Sequence, residues 1–214
     1  MRTARRSLYA LLSALVVGLV LWLGVPGLWH RTIPPPAIAG IFFVAPKTLE
    51  DFSLRDHTGA AFQRDRLLGK WTWLYFGYTS CPDACPLTLT TFTQVHQRLG
   101  RVGSPADHAY VLISVDPARD TLERLGAYTT YFHPTFLGVT GDPEELTRLA
   151  QQCLVLYRQA PDQQSAGLYS VDHSLNIVLI DPQARLRAIF RPPHLPDTLA
   201  TDWHNIQAYA QAHP

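Results

Sequence analysis

The chain has 214 residues, 47% of them hydrophobic and 16% charged, with a formal net charge of +1. That length accommodates one full domain plus an appendage, and the apolar content supports a packed core and excludes wholesale disorder. The near-neutral balance leaves no electrostatic footprint for nucleic acid, so no nucleic-acid partner is expected.

The chain opens with Arg2, Arg5 and Arg6 ahead of an uncharged run from Ser7 to Trp29. A bilayer core requires roughly 20 apolar helical residues, whereas the apolar region of a cleaved signal is shorter, roughly 7–15 residues. The run has no polar face, which sets it apart from a buried core helix. Residues 1–30 are therefore read as a retained, single-pass membrane anchor, although "AIAG" at 37–40 has the form of a small-residue cleavage site. The arginines stay in the cytoplasm, which places everything after Trp29 on the far side. In a bacterial inner-membrane protein that side is the periplasm, and the lack of a long Arg/Ser-rich transit segment favours a bacterium.

Residues 31–48, "RTIPPPAIAGIFFVAPKT", read as a proline-rich linker, and the globular domain is expected over 49–214. "DFSLRDHTGAAFQ" alternates about a turn and predicts a short hairpin. "WTWLYFGY" at 71–78 is nearly all apolar or aromatic, as a strand buried on both faces should be. A helix is expected from about Asp83 to Leu99, then a second buried strand at 109–115. "DTLE" at 120–123 resembles a capping box and starts a helix running to about Phe132. After the short strand "FLGV", "GDPEEL" offers Asp142 as N-cap and Pro143 at the first helical position. "CLVLYRQ" at 153–159 reads as a strand. "LYSVDHSLNIVLIDPQARLRAIF" reads as two strands joined at the Asp181–Pro182 turn, and a helix closes the chain. Strands alternating with helices, followed by a late β-hairpin, indicate a three-layer α/β domain.

The cysteines carry the chemistry. Cys81 and Cys85, in "TSCPDACP", follow the first strong strand, at the end of a central strand where open α/β sheets place their sites. A helix brings positions i and i+4 onto one face, so the sulfurs can converge. The positive end of the helix dipole favours thiolate, and thiolates are the ligands that soft metals select. Three readings stay open from the pair alone: a structural disulfide, a redox dithiol, and a metal clamp. The usual redox motif has two intervening residues rather than three, and a structural zinc site requires four protein ligands. Asp83 is read foremost as a helix cap and secondarily as a group tuning the charge of the site.

"TSCPDACP", "ISVDPARDT", "FHPTFLGVTG" and "LYSVDHSLNIVLIDPQ" occur in that order. The combination resembles the SCO/SenC family of copper-binding, membrane-anchored, thioredoxin-fold proteins, over roughly residues 50–192. The resemblance implies a thioredoxin-like domain with a mixed central sheet. It implies copper, as Cu(I) or Cu(II), held by Cys81, Cys85 and His173, a set of two thiolates and one imidazole suited to a soft metal. It further implies supporting roles near the metal for Asp116 and Asp120, where the residues themselves indicate an Asp-Pro turn and a helix cap. Tyr78 is read as core, with shielding of the metal as the alternative, and Cys153 as a buried small hydrophobe. The remaining eight of the nine histidines have no partner legible in the sequence.

The function so implied is a copper chaperone delivering copper to the CuA centre of a respiratory cytochrome c oxidase, or to another respiratory oxidase, with the CuA-bearing subunit or other copper proteins as partner and no substrate turned over. The alternative is an enzyme, a thiol–disulfide oxidoreductase that reduces the cysteines of the acceptor site through a Cys81–Cys85 redox disulfide. A peroxide-reducing enzyme has no support, because nothing marks one cysteine as peroxidatic.

Overall fold

A computed structural model describes residues 12–19, 34–100, 107–161 and 169–213. The chain divides into two units, Met1–Pro34 and Pro35–Pro214. In the first, residues 12–19 are helical with exposed side chains. Among the described residues no helix is long and apolar enough to cross a membrane. The anchor expected over 1–30 lies largely outside the described residues.

The second unit contains ten strands and four helices among its described residues. They run β1 (Gly40–Thr48), β2 (Ser53–Asp56), β3 (Ala61–Gln63), β4 (Trp71–Gly77), α1 (Ala84–Leu99), β5 (His108–Ser114), α2 (Leu122–Phe132), β6 (Leu137–Thr140), α3 (Pro143–Gln152), β7 (Tyr157–Pro161), β8 (Tyr169–His173), β9 (Ile177–Ile180), β10 (Arg185–Phe190) and α4 (Pro196–Ala212). Eight strands form one sheet in the order β1-β10-β9-β4-β5-β6-β2-β3, while β7 and β8 form a separate antiparallel pair. β4, β5 and β6 are parallel to one another, and β9 lies antiparallel against β4. The sheet is therefore mixed, with β4 at its middle.

Every residue of β4 is buried, because helices cover both faces of the sheet. Side chains alternate along a strand, and β4 divides accordingly. Trp73 and Tyr75 join Leu89, Phe92, Leu125, Trp203 and Ile206 from α1, α2 and α4. Leu74 and Phe76 join Leu146 and Leu149 from α3 on the opposite face. The result is the expected three-layer, thioredoxin-like α/β fold. The β2–β3 hairpin, the buried strands, and the β9–β10 hairpin turning after Asp181 also lie where the sequence places them.

Several boundaries differ. The linker expected over 31–48 ends early: Gly40–Thr48 is β1, paired with β10 along the sheet edge. Its apolar residues have a strand to pair with, and Pro46 falls where the register shifts between Phe42 and Lys47, the edge position a strand proline tolerates. The strand expected at 153–159 begins only at Tyr157, because Cys153 is still the C-cap of α3 and Leu154 has φ 56°. The segment read as two strands from Leu168 onward contains three, since Tyr169–His173 pairs with β7. Asp142 caps α3 as expected, accepting from Glu144 N–H at 2.9 Å. The box expected at 120–123 is displaced by one residue: Thr121 caps α2, accepting from Arg124 N–H at 3.2 Å.

Candidate metal centre

β4 delivers the chain to the site. After Gly77 the backbone turns through Tyr78–Cys81, closed by Cys81 N–H donating to Tyr78 O at 3.2 Å. Cys81 sits in this turn, partly buried, and Cys85 is the second residue of α1, wholly buried. His173 ends β8 rather than lying in the loop after it, and β8 carries it over the start of α1. Its Nε2 is 3.8 Å from Cys85 Sγ, and the two sulfurs and the imidazole nitrogen all lie within 4.8 Å of one another. Both cysteines are free thiols here, as is Cys153.

Each member is held by its surroundings. A Cβ built on Gly77 would lie 2.6 Å from Cys85 Sγ, so glycine is what allows that sulfur to rest on β4. His173 Nδ1 is 3.2 Å from Ser174 O. A carbonyl only accepts, so Nδ1 bears the proton and Nε2 turns its lone pair toward the sulfurs. The rings of Tyr75 and Tyr78 meet the imidazole edge-on, with centroids at 5.7 and 5.9 Å. Val171 N–H donates to Tyr78 Oη at 3.4 Å, tying that tyrosine to β8.

The two thiols are unequal. Hydrogen bonding from the Cys85 thiol is the main reason the Cys81 pKa is pushed well down; the N–H groups of Cys85 and Asp83 add to it, against the opposing effect of partial burial. Cys85 moves the other way, as donor to that thiolate and through burial. Of the two sulfurs, Cys81 is thus the one that favours the thiolate and the enclosed Cys85 the one that favours the thiol. Burial alone pushes the Cys153 thiol up to about 12. That is the behaviour of a packing residue, as its sequence context indicates.

The aspartates take other positions. Asp83 stands at the N-cap of α1, but its side chain makes no capping hydrogen bond. Asp116 is buried and ion-paired with Arg119, whose guanidinium also lies 5.6 Å from the Tyr78 ring centroid. Asp120 does not cap α2. It is buried, and its carboxylate accepts from Thr79 N–H at 2.9 Å, Thr79 O–H at 2.5 Å and Ser114 O–H at 2.6 Å. It therefore fastens the turn before Cys81 to the end of β5, which a reading of local caps could not reveal.

Sequence reasoning missed three contributors. Gly77 had a signal, an isolated glycine at the end of an otherwise bulky strand. Tyr75 was read only as core and proves to face both the core and His173. Arg124 reaches the turn from α2, a contact without any local signature. Among the other histidines, His57 and His108 accept hydrogen bonds from Gly138 N–H and Trp73 Nε1–H, which gives them structural employment.

The fold and site together define a thioredoxin-like domain carrying two thiols and an imidazole at the end of its central strand. The SCO1/SenC family model matches residues 44–208, and the chain belongs to that family. It is 37% identical over 148 residues to the mitochondrial protein SCO1 homolog 1 of Arabidopsis thaliana, covering 69% of this chain and 43% of that protein. It is 32% identical over 180 residues to the SCO2-like protein RP587 of Rickettsia prowazekii, covering 81% of this chain and 87% of that one. The crystal structure of Arabidopsis thaliana ScoI with copper bound superposes with a TM-score of 0.69 at 35% identity, covering 75% of this chain and 98% of the other.

Proposed function

We propose that this protein is a membrane-tethered copper chaperone. Cys81, Cys85 and His173 take up the ion, and the domain hands it to the CuA centre of a respiratory cytochrome c oxidase during assembly. The observation that carries the reading is the imidazole: Nε2 of His173, 88 residues from Cys85 in sequence, lies 3.8 Å from its sulfur. A dithiol exchanging with disulfides has no need of that group. A soft ion has, because two thiolates and a nitrogen form a donor set that accepts Cu(I) and tolerates Cu(II). Three ligands without a closed fourth leave the ion open to ligand exchange, as delivery demands. Copper bound in the Arabidopsis ScoI crystal structure supports the choice of metal. The tether is the apolar segment within residues 1–30, and the domain after it occupies the periplasm of a bacterium.

The inequality of the thiols favours a second reading, reduction of the acceptor's cysteines, in which Cys81 attacks a disulfide and Cys85 resolves the mixed disulfide. His173→Ala separates the two. Under the chaperone reading, cells carrying it lack CuA at limiting copper, while the purified variant still opens and closes the Cys81–Cys85 disulfide. Normal oxidase assembly at limiting copper, with thiol exchange intact, would leave only the reductase.

A further inference from the structure

We infer that Arg124 is a positioning residue for Cys81: its guanidinium pins the turn that presents this sulfur to Cys85 and His173. The inference rests on reading Cys81 as a copper ligand. In the Tyr78–Cys81 turn the two central residues, Thr79 and Ser80, set the direction in which the chain leaves β4. Arg124, in the first turn of α2, holds both. Its Nε donates to Thr79 Oγ1 at 2.7 Å and its Nη2 to Ser80 Oγ at 3.0 Å. The Thr79 hydroxyl in turn donates to Asp120, and Arg124 Nε lies 4.0 Å from that carboxylate. Both central side chains of the turn are thereby tied to α2.

The clamp matters for Cys81 more than for its partners. Cys85 is fixed by α1 and by contact with β4, and His173 by its strand and two tyrosines. Cys81 belongs to neither helix nor strand, so the turn is what places its sulfur. A guanidinium suits the task because its planar fork presents donors at a fixed separation to two hydroxyls. A lysine ammonium offers one point of charge and cannot span them with the same geometry.

The test uses the full chain with Arg124→Ala and Arg124→Lys, each alone and combined with Cys81→Ser. Cu(I) affinity is measured by competition with a chelator, and hydrogen exchange at the Cys81 amide is followed in metal-free protein. Arg124→Ala should weaken Cu(I) binding about tenfold and speed Cys81 amide exchange by a similar factor, the loss expected when charge-assisted hydrogen bonds are removed. Arg124→Lys should fall between the wild type and alanine. In the Cys81→Ser background, Arg124→Ala should have no further effect on copper, since coupled residues are non-additive. Wild-type affinity and exchange in Arg124→Ala would overturn the inference, as would a loss that simply adds to that of Cys81→Ser. A wild-type chain that takes up no copper would instead refute the proposed function, and amide exchange alone would then decide whether Arg124 fixes the turn.

Discussion

At the scale of single residues, the site depends on close approach as much as on its ligands. Gly77 lets Cys85 Sγ come within 2.6 Å of the position a Cβ would take, where Tyr75 Cε1 at 3.1 Å and Leu112 Cδ1 at 3.2 Å also crowd. Gly77→Ala must therefore displace the sulfur or the sheet. Overpacking of this kind costs about 1–3 kcal/mol. The variant should unfold at lower urea and bind Cu(I) more weakly than wild type, measured by urea titration and chelator competition. Wild-type copper affinity in a folded Gly77→Ala protein would show that the sulfur does not need this seat.

That Cys81, Cys85 and His173 meet was legible because "TSCPDACP" and "VDHS" are distinctive as a pair, although neither the spacing of the cysteines nor a lone histidine would have been enough. The support around them was less legible. Asp120 and Thr79 are 41 residues apart and meet through a carboxylate that local rules assign to a helix cap. Burial at the end of β5 decided the matter: once Thr121 supplies the cap, the Asp120 carboxylate turns inward to three donors from Thr79 and Ser114.

At the scale of elements, strands with a continuous apolar run and helices with a cap and a proline were legible. Those depending on a partner were not. β1 was read as linker because Pro46 and the prolines at 34–36 ahead of the strand conceal the apolar stretch that β10 receives. β8 merged with β9 because only pairing with β7 separates them. The β9–β10 turn is built around Asp181, which accepts from the N–H groups of Gln183 and Arg185 at 3.0 and 3.1 Å. The same carboxylate pairs with Arg185 Nε at 2.8 Å and with the almost wholly buried Arg187 at 2.8 Å. Asp181→Ala strands the Arg187 charge inside the domain. Removing one partner of a buried pair costs about 3–5 kcal/mol, so the urea midpoint should fall sharply. A midpoint equal to that of wild type would show that Arg187 reaches water or another acceptor once Asp181 is gone.

At the scale of the whole molecule, the sheet brings distant segments to one point. β4 leads into the segment with the cysteines, the parallel β5 leads into the loop with Asp116 and Asp120, and the small β7–β8 pair carries His173 across to the cysteines. The order of strands explains why one end of the domain collects the chemistry, as parallel strands connected through helices do.

The central claim is that two sulfurs and one nitrogen hold copper. X-ray absorption at the copper edge, on the domain loaded with one equivalent of Cu(I), tests it most directly. The spectrum should report two sulfur scatterers and one imidazole nitrogen. The nitrogen should vanish in His173→Ala, and a sulfur in each of Cys81→Ser and Cys85→Ser. A copper shell without sulfur, or one unchanged in all three variants, would contradict the account.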